Sequence, residues 1–199
     1  MKRNKQLHES INLNTLALPF LLFLLFAPVD KKINSTPETM EVYSSTVLPY
    51  SAEQVYEQIK SVDTLDTYKP FLLRIGLPIP QKCGLDQEQV GGLRTCYFEG
   101  GKIVERITAL KKGEFLKMDV IDYQLTGRKW LGFKEAIYLF EPTRNGHTKL
   151  TRITTYTSEL KPRMYWEPLE KIAIEQEHQY VFDNLAQDLQ STYGIATKR

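Results

Sequence analysis

Metal-ligating patterns are scarce in this sequence. It has two cysteines, Cys83 and Cys96, and three histidines, His8, His147 and His178. None stands in a Cys-x-x-Cys or His-x-x-x-His spacing, which leaves no zinc signature. A glycine-rich phosphate loop and a Gly-x-Ser-x-Gly elbow are missing too, so no motif signals nucleotide binding or a hydrolase nucleophile. Charge of one sign is not in excess. Lys and Arg number 26 against 24 Asp and Glu, a net charge of +2 that offers nucleic acid no basic surface. We therefore expect no metal, no cofactor, no catalytic set fixed by motif and no nucleic-acid partner.

What is present suffices for one globular domain with an appendage. The chain has 199 residues, of which 42% are hydrophobic and 25% charged, enough for a core. The appendage is N-terminal. Lys2, Arg3 and Lys5 precede an apolar run from Leu16 to Val29, which Asp30, Lys31 and Lys32 close. A basic start before an apolar run is the form of an export signal. The run is shorter than the ~20 residues of a full span, and counting from Ile11 lengthens it towards one. Ala27 followed by Pro28 is a poor cleavage site. The expectation is an apolar helix outside the domain that anchors the chain to a membrane through residues 11–29. A cleaved signal, leaving a secreted or periplasmic protein, is the alternative. More cations before the run than after it place the N-terminus inside and the domain on the extracytoplasmic side. The expected organisation is an anchor or signal over 1–32, a linker over 33–40, a domain over 41–193 and a tail over 194–199.

Within the domain, Glu41 to Leu48 alternates with β-branched residues and reads as a strand. Ser51-Ala-Glu-Gln54 is a capping box that opens a helix bearing Val55, Ile59 and Val62. Residues 64–82, broken by Pro70, Pro78 and Pro80, read as a short helix or turn-rich segment. Strands then follow over Leu93–Glu99, Lys102–Leu110, Phe115–Tyr123, Trp130–Glu141 and Lys149–Ser158. Gly100-Gly101 marks the first turn and Asn145-Gly146 the last. A long helix, with Pro168 in its first turn, runs to Tyr193 and stops at Gly194. Helices segregated from a run of strands indicate an α+β fold with an antiparallel meander that the long helix covers.

Three short motifs carry a resemblance. Gly92-Leu-Arg94 and Val104-Glu-Arg-Ile107 resemble the Gly-x-x-Arg and Glu-Arg-Leu pairs of plant hormone receptors and latex-type proteins. Glu177 to Leu185, behind Trp166 and Pro168, resembles bacterial polyketide-cyclase-like proteins. Both groups belong to the START-like, or SRPBCC, superfamily. The resemblance implies a helix-grip fold over about residues 41–192, a curved antiparallel sheet of six or seven strands around the C-terminal helix. It also implies a cavity between them for a lipid or other hydrophobic small molecule, with Glu105 facing that cavity.

The hairpin gives the facing independently. A Gly100-Gly101 loop pairs Glu99 with Lys102, Phe98 with Ile103, Cys96 with Glu105 and Arg94 with Ile107. One face then carries Arg94, Cys96, Phe98, Ile103, Glu105, Ile107 and Ala109. Arg94 and Glu105 are diagonal neighbours that either neutralise each other as a buried pair or orient a ligand. Alternation adds Leu116, Met118 and Val120, then Leu131, Phe133, Glu135, Ile137 and Leu139. On the last helix Ile174, His178, Val181, Phe182, Leu185 and Leu189 share a face, with His178 either a core residue or an acid–base group. Cys83, placed in a loop, and the inward Cys96 are expected as free thiols.

Three functions are compatible with this pattern: a binder or carrier of a hydrophobic molecule, a cyclase, dehydratase or hydrolase acting in the same cavity, and an interaction module without a pocket. The first needs only an apolar cavity with few polar groups. The second needs an acid and a base held together.

Overall fold

Alternation along most of the strands gives the sheet one wet and one dry face. In a computed structural model of the chain, the described residues are 38–74, 78–125 and 130–194. They belong to one compact unit, Pro37–Arg199. The predicted anchor over 1–32 lies outside the described residues. The sequence elements are β1 (Thr39–Leu48), α1 (Ala52–Lys60), α2 (Phe71–Arg74), β2 (Pro80–Leu85), β3 (Leu93–Phe98), β4 (Gly101–Lys111), β5 (Phe115–Leu125), β6 (Leu131–Pro142), β7 (Thr148–Ser158) and α3 (Arg163–Tyr193). All neighbouring strands are antiparallel, in the order β1-β7-β6-β5-β4-β3-β2. The sheet curls around α3. Among the described residues no helix is long and apolar enough to cross a membrane.

Local chemistry explains most element ends. Ser51 caps α1 as expected: its Oγ accepts from the Gln54 amide at 3.3 Å, and the Ser51 amide donates to Gln54 Oε1 at 2.9 Å. Val55, Tyr56 and Ile59 of α1 are fully buried against Phe140, Leu150, Phe182 and Leu189. β1 starts two residues before the predicted strand, because Met40 is an inward residue packed with Tyr156, Leu131 and Ile174. α3 starts at Arg163, so Pro168 lies beyond the first turn. The amide it lacks would have met the carbonyl of Met164, a residue 74% exposed, where water is at hand.

Three departures from the sequence reading matter for the site. First, the β3–β4 turn is Glu99-Gly100, and Gly101 already belongs to β4, paired with Phe98. A Cβ at Gly101 would stand 1.7 Å from the Gln124 carbonyl oxygen, so glycine is needed there for close strand approach. The register moves by two residues, which preserves the face of every side chain and places Arg94 directly opposite Glu105. Second, β6 bulges between Phe133 and Glu135. Beyond the bulge the inward residues are Ala136, Tyr138 and Phe140, while Glu135, Ile137 and Leu139 are less buried. Third, the proline-broken segment contains an edge strand, β2. Pro80 occupies its first position, where a missing amide costs no ladder bond. Val62 and Cys83 exchange backbone bonds at 2.8 Å, which covers part of that edge.

The edge strand corrects the cysteine expectation. Cys83 faces Cys96 across β2 and β3, and the two form a disulfide. The bond closes a loop of sequence separation 13. In the chain-entropy account such a cross-link contributes roughly 3 kcal/mol. We predict that reduction, or Cys83→Ser with Cys96→Ser, lowers the urea midpoint by a matching amount, and that the unreduced protein resists thiol alkylation. Equal midpoints with and without reductant would contradict the bond.

Candidate functional site

The two faces of the sheet are separated by parity, and the inner face does not close fully on α3. A cavity remains between β3–β7, α2 and α3. Its volume is about 90 Å³. That is below the 150 Å³ of an engineered apolar cavity that holds benzene.

Most of the wall is apolar. Val62, Leu65 and Leu73 come from the segment leading into α2, and Ala173, Ile174 and Val181 come from α3. That segment is held down by α3 through polar side chains. Tyr180 donates its hydroxyl to the Leu65 carbonyl at 2.8 Å. Asn184 Oδ1 accepts from the amides of Asp66 and Thr67 at 2.8 and 3.0 Å. Gln176 Oε1 accepts from the Leu72 amide at 3.1 Å. Backbone groups of a loop are thus satisfied by buried helix side chains.

One end of the cavity is polar. Arg94 Nη1 donates to Glu105 at 3.0 Å, with side-chain exposures of 4% and 9%. Arg94 Nη2 donates to the Ile59 carbonyl at 3.2 Å. Arg152 forms a second pair with Glu177 at 3.0 Å. The ring of Tyr138, itself 1% exposed, lies 5.8 Å from the Arg94 guanidinium carbon and 5.5 Å from that of Arg152. Burial opposes the charge on both guanidiniums. Tyr138 and Glu105 outweigh it at Arg94, and Glu177 and Tyr138 outweigh it at Arg152, so both are held above the usual arginine value. Their two Nε–H donors find no partner among the described residues. The disulfide adjoins this end: Cys96 Sγ lies 3.9 Å from Glu105 and, being oxidised, touches it without donating. A third pair, Arg163 with Glu170 at 2.7 Å, lies on the α3 side, where Ser158 also donates to Glu170 at 2.6 Å.

Of the predicted residues, Arg94, Cys96, Phe98, Ile103, Glu105, Val120, Phe133, Glu135, Ile174 and Val181 stand on the cavity wall. Five do not. Ile107, Leu116 and Met118 are packed against α1 and the far part of α3 in the solid core. Ile137 falls on the other face because of the β6 bulge. Glu135 touches the wall, but its carboxylate pairs with Lys117 at 2.5 Å, a side chain 41% exposed. His178 is the fifth. It is fully buried, its Nε2 bonded to Thr154 Oγ1 at 2.8 Å and its Nδ1 to Ser44 Oγ at 2.9 Å. It ties α3 to β1 and β7 and has hydroxyls, not a carboxylate, as hydrogen-bond partners. Reading the face of β7 would have found Arg152, which lies between the inward Leu150 and Thr154. Tyr138 was hidden by the bulge. Among the described residues no three His, Cys, Asp or Glu side chains come together as metal ligands.

Similarity to solved structures is one of fold. The Bet v 1-like Ara h 8.0201 aligns over 78% of this chain and 100% of its own at 12% identity, with a TM-score of 0.51. A protein of unknown function from Staphylococcus aureus aligns over 80% and 98% at 16% identity, TM-score 0.55. A protein from Thermus thermophilus aligns over 77% and 99% at 13% identity, TM-score 0.53. No protein-family model and no curated protein sequence matches.

Burial pushes the His178 imidazolium down to about 2, from 6.5, with Arg152 acting in the same direction. The unfolded chain then binds a proton that the folded one refuses. Stability contributed by neutral His178 is present above 6.5 and lost as pH falls below it. We predict a loss of roughly 2 kcal/mol between about pH 7.5 and about pH 5, and a flatter profile for His178→Gln. Thermal unfolding across that range checks it, and identical slopes in the two proteins would contradict it.

Proposed function

We propose that this helix-grip, START-like chain binds or carries a hydrophobic small molecule or lipid whose one polar end rests on the Arg94–Glu105 and Arg152–Glu177 pairs. The observation that carries this reading is the unequal cavity wall: largely apolar, with two unmet guanidinium Nε–H donors, those of Arg94 and Arg152, beside the Tyr138 ring at one end. The two pairs neutralise each other, so the unmet Nε–H donors favour an oxygen acceptor without adding net charge. Bet v 1-like proteins bind hydrophobic ligands, which supports the same assignment. We further propose that residues 11–29 tether the domain to a membrane on its extracytoplasmic side. A disulfide between Cys83 and Cys96 fits an oxidising compartment.

An enzyme acting in the same cavity needs an acid and a base at the reacting atoms. Both ring nitrogens of His178 are engaged by hydroxyls, of Ser44 and of the wall residue Thr154, and Glu105 is engaged by Arg94. The binder is the better account of this arrangement.

Native mass spectrometry of the purified chain, before and after cis-parinaric acid is added, tests the proposal. The wild type is expected to show a bound small molecule or to take up the fatty acid. Ala173→Phe, which fills the cavity from α3, is expected to abolish both while leaving the melting temperature unchanged or higher. Uptake by neither protein, or equal uptake by both, would sink the reading.

A further inference from the structure

The first turns of α3 carry a row of apolar side chains that the described residues leave exposed. Met164 is 74% exposed, Tyr165 55%, Trp166 40%, Leu169 54% and Ile172 46%. Phe71 of α2, 64% exposed, belongs to the same surface, because the Leu72 amide is bound by Gln176 one turn beyond Ile172. A contiguous apolar patch of this kind marks a binding surface.

Two placements say what binds it. The patch is the rim of the cavity: Leu169 and Ile172 flank Glu170 and Ala173 on the wall, and Phe71 is two residues from Leu73 on the wall. The patch is also where the chain enters the domain. Arg163, at the first position of α3, contacts Met40 Sδ at 2.8 Å, and Thr39 pairs with Thr157 at the same end of the sheet. The apolar run ending at Val29 lies ten residues before Thr39. An extended chain of that length reaches roughly 35 Å. A run inserted in a bilayer would keep the start of β1 within that distance of the lipid surface.

We infer that the Phe71, Met164–Trp166, Leu169 and Ile172 face docks on a lipid bilayer and turns the mouth of the cavity towards it. This rests on the tether proposed above but not on what the cavity holds. Tyr165 and Trp166 suit the headgroup layer, where an amphipathic ring keeps its polar edge wet. Two ion pairs border the face, Lys171 with Glu167 and Arg163 with Glu170, both at 2.7 Å. Docking is therefore by apolar insertion and requires no anionic lipid.

The full chain, reconstituted with phosphatidylcholine vesicles whose acyl chains are brominated, tests this through its two tryptophans, Trp130 and Trp166. Flotation reports the tether, and bromine quenching reports the face. The wild type is expected to float and to lose roughly half its tryptophan emission, that of Trp166, relative to unbrominated lipid. Leu169→Asp with Ile172→Asp, both exposed positions, is expected to float equally and to lose the quenching. A chain that does not float overturns tether and docking together. A chain that floats unquenched, or is quenched equally with and without the two aspartates, overturns docking alone. Trp166 shielded without vesicles in a concentration-dependent way assigns the face to a second copy and also overturns it.

Discussion

A guanidinium and a carboxylate buried opposite each other on neighbouring strands constrain this fold more than any apolar contact does. Arg94 and Glu105 occupy facing positions of β3 and β4 with almost no exposure. Either alone would cost several kcal/mol to bury, and together they roughly break even against an apolar pair. Their contribution is to specify. A slip of one residue between β3 and β4 would put the two charges on opposite faces of the sheet and leave one of them buried without its partner, so the register cannot drift. The Ile59 carbonyl, at the end of α1, completes the set and fixes that helix over the sheet.

The cavity follows from the same constraint. The Arg94–Glu105 pair lines the cavity, and the Arg94 Nε–H has no partner among the described residues. Tyr138, Arg152 and Glu177 continue the polar end across β6, β7 and α3. The rest of the inner face is filled by ordinary side chains, and by His178 held neutral between two hydroxyls. Apolar space thus survives only where α2 and the start of α3 close the sheet, which is also where apolar side chains reach the surface.

Strand limits, the capping box and the inward face of β3 and β4 were legible because they depend on alternation and on neighbours in sequence. The face survived an error in the turn, since a shift of two residues preserves parity. Three things were not legible. The bulge at Lys134 inserts a residue without any compositional mark, and it moved Ile137 outward and Tyr138 inward. β2 is short, begins with proline and owes its pairing to β3 and to residues 62–65, so the disulfide it creates could not be read from Cys83 alone. Alternation along β7 puts Arg152 on the inward face, but its partners there, Tyr138 and Glu177, come from β6 and α3 and are not encoded locally.

The central claim is that Arg94 and Glu105 are one buried unit forming the floor of the cavity. A double-mutant cycle measures this directly: urea unfolding of Arg94→Met, Glu105→Gln and the two combined. The account predicts a loss of about 3–5 kcal/mol for each single change and a combined loss well below their sum. Additive changes near zero would place both side chains in water and the inward face on the wrong side of the sheet.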